Sequence, residues 1–129
     1  DLIRRANAAA RALRAGAPGA FVDALRAALF SPAHSDVPGQ TLALAQLWWA
    51  LVLTTNYDNL YEAAFRGVHS KRRVEVYGRG VSDCQRVLTS LTEPSDAVLW
   101  ALQGYLNEPE PLARKELAHE VVLGHDEYR

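Results

Sequence analysis

The stretch Leu51-Val52-Leu53-Thr54-Thr55-Asn56-Tyr57-Asp58 decides the fold. Ala50 to Leu53 is a short unbroken apolar run that carries into two threonines, the pattern of a strand covered on both faces in a parallel sheet. A central strand over Leu51 to Thr54 is therefore expected, with a helix beginning by Leu60. The polar turn falls at the strand's carboxyl end, where open parallel sheets bind ligands, because the loop and the next helix present free backbone donors. Asn56 can donate and accept through its amide, Asp58 can accept from a ligand hydroxyl or orient Asn56, and Thr54 and Thr55 can bond backbone or ligand. The plainer alternative is that Asn56 or Asp58 simply caps the following helix.

Working outward, Leu60, Tyr61, Ala64 and Phe65 mark a helix that ends near Gly67. Val74-Glu75-Val76-Tyr77 alternates like a strand stopped by Gly78, and Ala97 to Leu102 is a further apolar run before Gly104. Between them, Ser82 to Leu91 reads as a helix or a loop over the sheet. Leu106 to Pro111 reads as a turn, Leu112 to His119 as a short helix, and Val121-Val122-Leu123 as a last strand. Upstream, Leu2, Ile3, Ala6, Ala9, Ala10 and Leu13 recur at helical spacing and are stopped by Gly16-Ala17-Pro18-Gly19. Phe21, Val22, Leu25, Ala28 and Leu29 form the stripe of a second helix, Ser31 to Gly39 is a loop, and Thr41 to Trp49 starts a third helix. Strands alternating with helices predict an α/β fold with a Rossmann-like parallel sheet flanked by helices in three layers. Residues 1–129 read as one domain, with a helical and loop part over 1–40 and a Rossmann-like part over 41–129.

The composition is globular, with 49% hydrophobic and 22% charged residues. A net charge of −1 supplies no general attraction for nucleic acid or an anionic membrane, so neither is expected as a partner. The single cysteine, Cys84, can form no internal disulfide and fits a reducing compartment, which with the lack of a spanning apolar run predicts a cytoplasmic protein. A chain that starts at Asp1 and contains no methionine is expected to be a segment of something longer.

Other motifs are weaker. Gly78-Arg79-Gly80 lacks the third glycine of a dinucleotide fingerprint and reads as a turn. His119-Glu120 with His125 evokes a zinc helix, but the second histidine would have to stand at Leu123, so no metal is expected. Lys71-Arg72-Arg73 beside His69 reads as a solvated loop, Trp48 and Trp49 as core or interface packing, and Cys84 as a structural thiol.

The turn and its flanks, with Leu60, Glu62 and Phe65 beyond them, closely resemble the strand, turn and helix of SIR2-like domains, the sirtuin relatives of bacterial anti-phage defence proteins, which share Thr-Thr-Asn-Tyr-Asp. Val98-Leu99-Trp100-Ala101-Leu102-Gln103-Gly104 is similar to the family's later strand ending in Leu-His-Gly, and the stretch from Glu120 to Tyr128 looks like the strand and Asp-x-Tyr element after it. The resemblance implies a Rossmann-like site for NAD, with hydrolysis of its bond to nicotinamide in the defence branch or deacylation in the classical one. It implies that Asn56 contacts the nicotinamide ribose and positions water, that Asp58 supports it, and that Thr54, Thr55 and Gly104 help hold NAD.

Two departures stand beside it. The family's catalytic histidine falls at Gln103, whose amide is no general base near neutral pH. The family's opening strand and Gly-Ala-Gly phosphate loop have no counterpart in this sequence, which reads as an incomplete SIR2-like domain: either the loop lies upstream in a longer parent or the domain has lost cofactor binding, and the chain as written is expected to bind NAD weakly or not at all. The resemblance leaves two readings: an NAD hydrolase working among other domains or subunits of a larger defence protein, and a non-catalytic interaction module that keeps the SIR2-like layer as scaffold.

Overall fold

The computed structural model describes residues 2–29, 37–92, 96–106 and 121–122. Five helices and three strands follow one another as α1 (Leu2–Gly16), α2 (Pro18–Leu29), α3 (Gly39–Gln46), β1 (Leu51–Thr54), α4 (Leu60–Val68), β2 (Val74–Tyr77), α5 (Val81–Thr92) and β3 (Ala97–Ala101). The strands form one parallel sheet in the order β1-β3-β2, with Leu51 beside Val98 and Val74 beside Ala97. The expected three-layer α/β architecture is therefore present. α4 carries the chain from β1 across to the far side of β3, and α5 brings it back. Because crossovers share one hand, reversing the direction of travel puts the second helix on the opposite face.

Alternation along β3 serves both faces. Ala97, Leu99 and Ala101 pack with Ala45 of α3 and with Tyr61, Ala64 and Phe65 of α4, while Val98 packs with Tyr77 and with Val87 of α5. A third cluster lies beyond the strands' carboxyl ends. There Phe21 and Val22 of α2 meet Leu106 and Val121, with Tyr57 packed against them. Arg14 of α1 ties this cluster down by donating to the Val121 carbonyl at 2.6 Å while its guanidinium lies 4.6 Å above the Phe21 ring.

Several expectations need correction. β1 is parallel and starts where expected, but among the described residues it is the edge strand and β3 is central. An apolar run reports that a strand is hydrophobic, not how many neighbours it has. α5 packs chiefly on β2 and β3, so Leu53, on that side of β1, is 54% exposed. The third helix starts earlier, at Gly39, and ends at Gln46, since Leu47 turns to extended backbone. The tryptophans that follow close its end onto α4: Trp49 Nε1 donates to the Leu44 carbonyl at 3.2 Å, and the Trp48 ring lies 6.2 Å from Phe65. Ser82 to Leu91 is helical, within α5. Only two residues of the expected last strand are described. Val121 and Val122 are buried and, among the described residues, have no strand pairing, with one backbone bond to them, Val122 N to Gln103 O at 2.9 Å. The expected turn over Leu106 to Pro111 and the helix over Leu112 to His119 fall, apart from Leu106, outside the described residues.

A central strand and an edge strand should answer differently to truncation. Leu99 is 1% exposed on β3, so Leu99→Ala should cost about 2–5 kcal/mol in urea denaturation. Leu53→Ala should cost under about 1 kcal/mol; equal losses at the two positions would contradict this layering.

Candidate functional site

The turn after β1 is shaped by its own side chains. Asn56 N–H donates to Thr54 Oγ1 at 3.0 Å, which folds the backbone back at the end of the strand. Asp58 Oδ1 accepts from Leu60 N–H at 3.1 Å, satisfying one of the orphan donors at the start of α4. The N-cap of α4 is Asn59, which makes no side-chain cap bond, so Asp58 supports the helix start from one residue upstream, through one carboxylate oxygen. The side chain of Asn56 is exposed and has no hydrogen-bond partner among the described residues. Thr55 is exposed beside it.

Pairing with β3 continues past both strands and holds this turn in place. Leu102 N–H donates to Thr54 O at 2.9 Å, and Leu106 N–H donates to Tyr57 O at 2.7 Å. Between those bonds lie Gln103 and Gly104. Gly104 is buried with φ 91°, the left-handed side of backbone space, where a Cβ would clash. It has a structural reason to be glycine in this connection.

Tyr57 joins the turn to the rest of the site. Its hydroxyl hydrogen-bonds the Val122 carbonyl and lies 3.1 Å from the Gln103 side-chain oxygen position. A phenol carries one proton. Once that proton goes to Val122, the Gln103 amide completes the pair when its NH2 is turned toward the phenol oxygen. Gln103 is therefore held at the site by Tyr57, with its backbone carbonyl accepting from Val122 N–H.

A cleft of about 160 Å³ opens beside the turn, between α3, β1 and α4. Thr54, Asn56 and Asp58 line it with Thr41, Leu44, Val52, Leu53, Leu60, Tyr61 and Leu99. Three of the residues singled out in the sequence therefore share one cavity. Gln103 and Gly104 are not among its walls; they stand at the adjoining β3 exit, linked through Tyr57.

The family model of the SIR2-like domain matches residues 50–129. The chain belongs to the SIR2-like domain family. No curated protein and no solved structure matches it. The match begins one residue before β1, so it takes in the turn, the cleft's β1 and α4 walls and the β3 exit, and leaves α1, α2 and α3 outside.

The remaining motifs resolve into structure. Gly78-Arg79-Gly80 is a turn whose Gly78 N–H is taken by the buried Asp83 carboxylate at 2.6 Å, and whose Gly78 carbonyl accepts from Trp100 Nε1 at 2.9 Å. Arg72 lies 4.1 Å above the Trp48 ring, and His69 stacks near Phe65 with a ring nitrogen 2.8 Å from the Ala45 carbonyl. Cys84 Sγ sits 3.7 Å from the Arg79 carbonyl. Among the described residues no group of three or more His, Cys, Asp or Glu side chains could hold a metal ion, and His119, Glu120 and His125 fall outside them. No helix of the described residues is long and apolar enough to cross a membrane.

Two residues were illegible as site elements in the sequence. Tyr57 sits within the quoted turn, but nothing local discloses that it reaches Gln103 and Val122. Tyr105, wholly buried, donates to Glu62 Oε2 at 2.7 Å, and Glu62 is bridged in turn by Arg66 one helical turn on. Burial chiefly, then the charge and hydrogen bond of Glu62 and the charge of Asp58, push the Tyr105 phenol well above its usual range. Its partner stands 43 positions away, so only the fold brings the two together.

That shift predicts an alkaline weakness. A phenol with a raised folded-state pKa contributes stability that is complete below the unfolded value, near 10, and is lost as pH rises from there toward the folded value. Urea midpoints should therefore fall above about pH 10, and Tyr105→Phe should flatten that fall while lowering stability at pH 7. An unchanged alkaline slope in the variant would refute the role given to Tyr105.

Proposed function

We propose that this chain is the NAD-handling core of a SIR2-like NAD hydrolase, acting within a larger cytoplasmic anti-phage defence protein. The observation that carries the reading is the unengaged Asn56 side chain, presented to a cleft at the carboxyl end of a parallel strand, in a chain of the SIR2-like family. SIR2-like domains bind NAD in general.

The lining fits one end of that molecule. A volume of about 160 Å³ suits one ring or one ribose, well under the roughly 300–1,000 Å³ of pockets that take a drug-sized ligand whole. Asp58 is its one charged wall residue, which suits the cationic nicotinamide end and disfavours a phosphate. Asn56 and the free oxygen of Asp58 would hold the nicotinamide ribose, with Thr54, Thr55 and Gly104 shaping the backbone around it. NAD supplies a glycosidic bond whose cleavage builds positive charge on the ribose. Asn56 orients the attacking water through its amide, Asp58 stabilises that charge, and α3 and α4 shield the cleft. Gln103 contributes no base; tied to Tyr57, it acts as a positioning residue for the β3 exit. We read residues 1–129 as one unit in which the helical part over 1–40 braces the site, an assignment supported by the packing of Phe21 and Val22 on Leu106 and Val121.

A second reading has its own support. Leu44, Leu47 and Trp49 are all substantially exposed on or next to α3, an apolar surface suited to another domain or subunit of the parent protein. On that reading the SIR2-like layer is a scaffold and NAD is not turned over.

Nicotinamide release separates the two. In the full-length protein, Asn56→Ala should abolish it, since the turn then loses the amide that orients the attacking water. Full activity in Asn56→Ala would remove the turn from the active site, and no release from the wild-type protein would favour the scaffold.

A further inference from the structure

We propose that His69 is a positioning residue for the cleft: through its hydrogen bond to the Ala45 carbonyl it holds the α3 wall, with Thr41 and Leu44, against a bound ligand. The inference rests on the reading of the cleft as part of an NAD site and adds to it a residue that itself touches no ligand.

The starting point is how little holds α3 from within. It is 8 residues long, and Ala45 is the one residue it buries. Its N-cap, Pro38, makes no side-chain cap bond, its first turn carries no acidic residue and its last turn no basic one, so neither end has the usual complement to the helix dipole. An isolated helix this short is marginal in water, and contacts from outside must fix its position. Its last turn also leaves carbonyls without intrahelical donors, because Leu47 turns to extended backbone. Leu47 N–H and Trp49 Nε1 take the Leu44 carbonyl, and His69 takes the one at Ala45.

The His69 bond is the one that ties α3 to another element of the fold. A carbonyl only accepts, so the ring nitrogen 2.8 Å from Ala45 O is one that carries a proton. His69 is the C-cap of α4, and its ring lies 4.5 Å from Phe65 and 6.4 Å from Trp48, so packing sets where that proton points. Arg72, 4.1 Å above the Trp48 ring, closes the stack. Thr41 stands four residues before Ala45, one turn along the same face of α3, and Leu44 stands next to Ala45. Both line the cleft with Asn56 and Asp58. α4 thus serves both sides of the cleft: its start receives the Asp58 carboxylate, and the residue that ends it holds α3. Releasing the Ala45 carbonyl lets the α3 wall draw back, and a site that is complete only part of the time binds more weakly in proportion.

The test pairs amide hydrogen exchange with calorimetric titration of NAD, on the full-length protein as wild type, His69→Leu, His69→Gln and Asn56→Ala. Leucine keeps apolar bulk at the position without a donor, whereas glutamine offers an amide N–H at similar reach. In His69→Leu, exchange over residues 39–46 should quicken by about tenfold, the equivalent of one lost hydrogen bond, while residues 97–101 of β3 stay protected. The same variant should bind NAD about threefold or more weakly, and His69→Gln should restore both protection and affinity. If Asn56→Ala loses binding while His69→Leu binds as wild type does, the positioning role is wrong and the cleft assignment stands. If β3 loses protection together with α3, His69 is a general stabiliser and the proposal falls. A His69→Gln protein as impaired as His69→Leu removes the donor bond as the cause and overturns it. No NAD binding by the wild type overturns the cleft assignment and the proposal with it.

Discussion

Backbone pairing between β1 and β3 runs on past the ends of both strands, and everything at the site depends on it. Val98 N–H reaches Ala50 O at 3.0 Å at one end of the register, and Leu102 N–H and Leu106 N–H reach Thr54 O and Tyr57 O at the other. The polar turn is thus built into the sheet's continuation and is not a free loop. Each side chain it presents inherits its position from a ladder whose central strand is buried on both faces. Buried backbone groups are costly to leave unpaired, so this arrangement also explains why the connection after β3 must bend sharply at Gly104.

On that frame the tyrosines divide the work. Tyr57 clamps the turn to Val122 and Gln103, joining the SIR2-like sheet to the cluster under α1 and α2. Tyr105 fixes Glu62 behind the turn, and its burial pushes the phenol well above its usual range. Such networks are stabilising when every member is satisfied and costly when one is not. Among the described residues the buried Tyr61 hydroxyl has no hydrogen-bond partner, in the first turn of α4 next to the residues Asp58 supports. The site therefore combines rigid support behind the turn with the exposed Asn56 side chain in front of it.

Much of this was legible because local chemistry and fold agreed. The apolar run into Thr54, the alternation of Val74 to Tyr77 and the stop at Gly78 gave β1 and β2 to the residue, and the helical stripe of Leu60, Tyr61, Ala64 and Phe65 gave α4. What failed was whatever depends on neighbours. Leu51 to Leu53 read as central, yet a hydrophobic strand looks the same at an edge as in the middle when α3 and α4 cover one face of it. Trp48 and Trp49 read as helical because their aromatic bulk masks the break at Leu47, whose extended backbone only the contacts with Leu44 and Phe65 justify. Within the site, Asn56 and Asp58 were visible from type and spacing. The couplings of Tyr57 to Val122 and Tyr105 to Glu62 span 65 and 43 positions and have no local signature.

The departure at Gln103 acquires a physical meaning in this arrangement. The amide stands where the family resemblance puts a histidine, and it is occupied with Tyr57 in holding the β3 exit, so the chemistry assigned to the site falls on the turn itself. The most direct test is a 15N-edited NMR titration of the chain with NAD at millimolar concentration, which registers weak binding residue by residue. The account predicts shifts concentrated on the amides of Thr54 to Asp58 and on Leu60 and Tyr61, with Gly78 to Gly80 unchanged. Shifts centred on Gly78 to Gly80, with the turn silent, would contradict it.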